Sequence, residues 1–175
     1  MDSPINKYYV QTLCMIFFPG EKFGENEEES EDGPALVLRT EEREGEIVAY
    51  AEVSLGDKCC RAERSSPLCD YRTRERTLKL AVGAAVLAAA GELIGYRPSW
   101  GMLIGVRPSK VATELLNTGI SKTRVKKVLT SDFLVTPKKA ALAIAAKIKN
   151  RKKTTSLNRI KNAPNFGSIF LGVVS

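Results

Sequence analysis

Hydrophobic and polar positions change period several times along the chain, and each change predicts an element. Residues 8–18, YYVQTLCMIFF, place Val10, Leu13, Cys14 and Phe17 on one helical face before Pro19-Gly20 stops the run. The stretch 24–33, GENEEESEDG, is too acidic and glycine-flanked to pack, and is expected as a polar loop. Two β-type runs follow, Ala35–Arg39 and Ile47–Leu55, on either side of the polar EEREGE. The second alternates Ile47, Ala49, Ala51 and Val53 against Val48, Tyr50, Glu52 and Ser54. That pattern, with Gly45 in the link, predicts a hairpin with one face buried against the first helix.

Residues 56–71 read as a loop carrying three of the four cysteines. From about Thr73 to Gly95 a long helix is expected, with an alanine-rich interior at 84–90 and Gly95 as its C-cap. Two Arg-Pro pairs and two glycines make 96–109, YRPSWGMLIGVRPS, a shaped loop rather than a linker. Helices are expected over about 109–117, 121–129 and 137–150. Gly119 ends the first, Ser121 caps the second, and Thr136-Pro137 opens the third as N-cap and N1. Residues 150–163 are basic and polar, and 168–174, SIFLGVV, is a further β-type run. The predicted fold class is α+β: a small helix-plus-β-hairpin unit over 1–57, a helical unit over 58–150, and a linker with a terminal strand-like run over 151–175.

Charge reinforces that division. Residues 1–57 carry 14 acidic and 4 basic side chains, whereas residues 58–175 carry 23 basic and 6 acidic. The halves can attract one another within the fold, or the basic part can present a face to a polyanion. The 175 residues contain no histidine. That excludes Ser-His and Cys-His catalytic pairs, mixed Cys/His zinc sites and histidine haem ligation. Cys14 belongs to an apolar run and reads as a small core residue. Cys59, Cys60 and Cys69 fit no structural zinc spacing, so no metal ligand set and no catalytic residue is assigned. The longest apolar run, Leu80 to Gly91, has 12 residues between Lys79 and Glu92, too short for a membrane span. Without a signal-peptide pattern, a reduced cytoplasmic setting is expected.

The densest candidate chemistry is Trp100-Gly101-Met102-Leu103-Ile104-Gly105-Val106-Arg107-Pro108-Ser109-Lys110. Pro108 suits the first turn of a helix, whose free N–H groups would sit beside Arg107 and Lys110 and hold a carboxylate or phosphate. The alternative is a tight turn at Gly105, a helix start at Pro108 and solvated cations. Trp100 is expected as a core anchor between helices rather than a stacking platform. The basic sets KTRVKK (122–127) and KIKNRKK (147–153) suit weak, nonspecific nucleic-acid binding, although no aromatic residue interleaves them.

The run LKLAVGAAVLAAAGELIGYRPSWGMLIGVRPSKVATELLNTGISKTRVKKVL, followed by FLVTPKKAALAIAAKI, resembles one group of radical-SAM proteins. These are the oxygen-independent coproporphyrinogen III oxidase-like proteins, the coproporphyrinogen dehydrogenase of the HemZ type, in the region preceding their barrel. The family stretch Trp-Gly-x-Leu-x-Gly-[Val/Ile]-Arg-Pro-x-Lys is matched by Trp100, Gly101, Leu103, Gly105, Val106, Arg107, Pro108 and Lys110. The early VQTLCMIFFPGEKF also resembles the family's first helix, so the resemblance spans about residues 8–150.

In that family a first barrel strand resembling SLYIGIPF leads into CxxxCxxC, whose thiolates hold a 4Fe–4S cluster that binds S-adenosylmethionine. Here SIFLGVVS (168–175) falls at the strand, and none of the four cysteines has the cluster spacing. The resemblance therefore implies an N-terminal accessory portion of a haem-biosynthetic oxidoreductase. It would hold no cofactor of its own and be inactive alone, with the missing C-terminal barrel as its partner. Residues 168–174 would be a remnant of the first barrel strand, left by a truncated gene, a frameshift or a partial gene. The other function expected from the residues is a stand-alone basic module for RNA or an acidic protein partner. No membrane association is expected.

Overall fold

A computed structural model of the chain describes residues 5–21, 33–104 and 108–146. The acidic stretch up to residue 32, Gly105 to Arg107, the expected helix end at 147–150, the basic segment beyond it and the 168–174 run lie outside the described residues.

The first helix, α1, is Lys7–Phe17. Its N-cap Asn6 accepts a 2.9 Å bond from the Tyr9 N–H, and Pro19-Gly20 follows its last turn. Leu13, Cys14 and Phe17 are buried, and Val10 packs at the margin of the same core. The chain then forms three antiparallel strands in the order β1-β2-β3: β1 (Pro34–Arg43), β2 (Glu46–Leu55) and β3 (Lys58–Pro67). The expected polar link is therefore mostly strand. Glu41, Glu42 and Arg43 pair with Val48, Ile47 and Glu46, leaving Glu44-Gly45 as a two-residue turn. Glu44 (φ 51°) and Gly45 (φ 81°) both have positive φ, which matches the twist of the flanking strands.

The larger correction is β3. Residues 56–71 were expected as loop, yet Lys58–Pro67 pair with all ten residues of β2 around a turn at Gly56-Asp57. Its register places Cys60, Ala62, Arg64 and Ser66 opposite the buried face of β2, with Arg64 exposed, so it lacks the apolar alternation that marks a strand; β2 lends it the register. The unit boundary expected at residue 57 thus falls inside a hairpin turn.

Ile47, Ala49, Ala51 and Val53 are the buried face of β2, as their alternation predicts. What covers that face is not α1 but α2, Arg74–Ile94, which packs on β2 and β3 and receives α1 on another side. Thr73 caps α2 by accepting from the Arg76 N–H at 3.3 Å, and Gly95 ends it in the left-handed conformation (φ 69°). Buried residues occur all round α2, as a helix enclosed by other elements requires. By length and composition alone it could cross a membrane, but most of its apolar window is enclosed by this fold. Its buried alanines Ala81, Ala85 and Ala89 share one core with the small Ala49 and Ala51 of the sheet.

The remaining chain is helical: α3 (Pro108–Asn117), α4 (Lys122–Ser131, capped by Ser121) and α5 (137–146). Thr136 precedes α5 as expected, its carbonyl accepting the first helical bond from the Ala140 N–H at 2.9 Å while its hydroxyl donates to the Ser99 carbonyl at 3.1 Å. These helices enclose a second core of Leu103, Ala112, Val125, Leu129, Val135 and Ala140, with Ala143 and Ile144. Met102 belongs to the first core and Leu103 to the second, so the cores part between these two residues. The fold is α+β, a helix with an antiparallel sheet followed by helices.

Candidate functional site

The described part of the Trp100–Lys110 run is the joint between the two cores. Gly101 is buried at φ 54°, where an added Cβ would overlap the Phe133 carbonyl oxygen and the Leu134 backbone. That closeness lets the Met102 N–H donate to the Phe133 carbonyl at 2.9 Å. The Thr136 N–H donates to the Ser99 carbonyl at 3.0 Å, a second tie between the same two segments. Trp100 is half-buried at the edge of the second core, with Lys139 Nζ 5.2 Å from its ring centroid. It anchors an edge rather than the centre of the helices.

Pro108 is the first residue of α3, the N1 position its fixed φ favours. Lys110 lies one turn in and is 71% exposed, with Nζ 4.0 Å from Glu114 Oε1 along the same helix. An exposed pair of this kind contributes about 0.3–0.5 kcal/mol. Arg107 and Gly105 lie outside the described residues, so of the expected pair of cations only Lys110 has a described place.

The four cysteines are free thiols placed in three parts of the fold. Cys14 is enclosed in the first core, and burial pushes its thiol up to about 11. Cys59 and Cys60 are consecutive residues of β3, so their side chains leave opposite faces of the sheet. Cys59 Sγ lies 3.5 Å from Glu52 Oε1; loss of water, and then the bond to that carboxylate, raise its pKa. Cys69 is in the turn region beyond β3, its Sγ 3.5 Å from the Pro67 carbonyl. Among the described residues no group of three or more His, Cys, Asp or Glu side chains could hold a metal ion.

Two features escaped the sequence pattern. Arg72, just beyond β3, donates from Nη2 to Asp132 Oδ2 at 2.9 Å and from Nη1 to Ser66 Oγ at 3.3 Å. Its side chain is only 11% exposed, so it ties the sheet-bearing part to the end of α4 in a partly desolvated setting. Beside it Tyr71 stands 83% exposed, with the Arg72 guanidinium 5.6 Å from its ring centroid. Local periodicity cannot connect positions 60 residues apart. The only local signal was an aromatic-cation pair in polar sequence.

On α4, Val125 and Leu129 point into the second core, leaving Lys122, Arg124, Lys126 and Lys127 exposed. No acidic side chain forms an ion pair with these four cations among the described residues. Comparison of the chain with protein-family models, curated proteins and solved structures finds no match.

Proposed function

We propose that this chain is the N-terminal accessory portion of a radical-SAM enzyme of the coproporphyrinogen III dehydrogenase type and is not catalytic by itself. The observation that carries this is the eight-position match from Trp100 to Lys110. The position of the run supports it. A stretch whose consecutive residues Met102 and Leu103 enter different cores constrains how two bodies sit, which an accessory portion covering or orienting a barrel needs. Oxidative decarboxylation of two substrate propionates to vinyl groups would belong to the barrel, with its cluster and S-adenosylmethionine. None of the four cysteines of this chain has the CxxxCxxC spacing of that cluster. Arg107 and Lys110 would meet a substrate propionate or a carboxylate of the barrel.

The test has two arms. The chain alone, treated with iron and sulfide under anaerobic conditions, is expected to develop no cluster absorbance and to form no 5′-deoxyadenosine from S-adenosylmethionine. Mixed with the separately produced barrel of such an enzyme, it is expected to co-elute as a stoichiometric complex. Cluster formation by the chain alone, or no complex with the barrel, overturns the proposal. The exposed cations of α4 favour a second role, a basic module for RNA or an acidic protein partner.

A further inference from the structure

Between the end of β3, one side of α2 and the outer face of α4 lies an open cleft of about 700 Å³. Sites for small organic ligands are concave and typically about 300–1,000 Å³, so the cleft is large enough for one. Its apolar floor includes Leu80 and Ala84, four residues apart on α2, with Val128 of α4. Its polar wall follows from helix geometry. Ser121, Arg124, Lys127 and Ser131 recur at intervals of three and four, so α4 turns two cations and two hydroxyls toward the same space. The lining also includes Tyr71 and Arg72.

The charge balance of this lining favours an anion. Among the described residues Asp132 is the only acidic one in it, and its carboxylate is bound by Arg72. Arg124 and Lys127 make no ion pair among the described residues, which leaves the lining net positive. Ser121 accepts from the Arg124 N–H at 3.3 Å, and its own hydroxyl hydrogen remains free to donate. Two cations one turn apart with neighbouring hydroxyls suit a group with several acceptor oxygens and more than one charge, a phosphate rather than a single carboxylate. Tyr71 adds an aromatic face at the rim that contributes nothing to either core. An exposed ring beside a cationic groove is the pairing that receives a base with its phosphate.

We propose that this cleft binds a nucleotide unit, with its phosphate between Arg124 and Lys127 and its base on Tyr71. The unit is either a free mononucleotide or part of a single strand. This site is independent of any docking to a barrel, and Lys110 is not among the residues that line it.

The full chain is titrated at low salt with adenosine monophosphate by calorimetry, and with a short single-stranded RNA by fluorescence anisotropy. The double variant Arg124→Gln/Lys127→Gln is compared with Lys122→Gln/Lys126→Gln, which removes the same charge from α4 outside the cleft. The cleft variant is expected to weaken binding about tenfold or more, and the other by less than about threefold, because a placed contact exceeds a diffuse field. Tyr71→Ala, at an exposed position that does not endanger folding, is expected to cost about fivefold or more. Cleft-dependent binding of the mononucleotide identifies a free ligand. Cleft-dependent binding of the strand alone identifies a nucleic acid; either supports the site. Equal losses in the two double variants, no effect of Tyr71→Ala, or no saturable binding of either probe would overturn it.

Discussion

Two glycines show how much one missing methyl group matters. At Gly83 an added Cβ would meet Met102 Sδ and the Tyr9 hydroxyl, side chains packed at the first core, so they rather than backbone would have to shift. At Gly101 it would meet the carbonyl oxygen of Phe133 and the backbone of Leu134, on a φ of 54° that L side chains rarely adopt. Backbone cannot yield without parting the ties between the cores, and left-handed strain adds about 1–3 kcal/mol. Gly101→Ala is therefore expected to cost about 2–4 kcal/mol in denaturant unfolding. Gly83→Ala should cost less, about 1–3 kcal/mol of overpacking partly offset by the helix propensity that alanine recovers in α2. A Gly83→Ala variant less stable than Gly101→Ala would show that the α1–α2 contact, not the joint, is the tighter place. That Gly101 differs from other glycines was visible beforehand only as membership of a motif; the Phe133 carbonyl it must clear lies 32 residues on.

Among the elements, α1 and α2 are joined by a phenol whose ionisation the fold resists. Tyr9 of α1 donates its hydroxyl to the Lys79 carbonyl of α2 at 3.2 Å. Burial raises its pKa from 10.0 to about 12, and the same cause raises Cys14, on the same helix, from 9.0 to about 11. In both cases the unfolded chain releases its proton first, so the extra stability is complete below about pH 9 and is lost as pH rises to about 12. Stability should accordingly fall through this window, and Tyr9→Phe with Cys14→Ala should flatten the fall while leaving its neighbours' titrations unchanged. An identical alkaline slope in wild type and double variant would place the lost protons elsewhere. The elements themselves were unevenly legible. Strong alternation marked β2, and caps with alanine-rich sequence marked α2, whereas β3 exposes charges outward and sets only Cys60, Ala62, Arg64 and Ser66 opposite the buried face of β2. A strand of that composition is made by its neighbour's hydrogen bonds, which no window along the chain contains.

At the scale of the whole molecule, two cores share a short joint. Phe133 packs at the margin of both, and the Arg72–Asp132 pair spans the gap with 11% and 29% of its side chains exposed. Removing one partner of a pair held partly away from water leaves the other uncompensated. Arg72→Ala should therefore destabilise by about 1–3 kcal/mol, with a coupling of about 0.5 kcal/mol or more to Asp132→Ala in a double-mutant cycle. Amide exchange should quicken in α4 before it quickens in α2. Additive effects of the two substitutions would reduce the pair to a surface contact. Apolar spacing and capping residues along the chain determined that this protein has an α1 face, a half-buried β2, a long α2 and three short helices. Each of those signals is read within one or two turns of chain. Tertiary structure alone decided that β3 is a strand, that α2 rather than α1 covers the sheet, and that Met102 and Leu103 enter different cores. It also decided that Arg124 and Lys127 share a cleft with Tyr71. These depend on contacts between residues far apart in sequence, whose formation rests on shape and hydrogen-bond satisfaction across the fold, and such contacts leave no period to read.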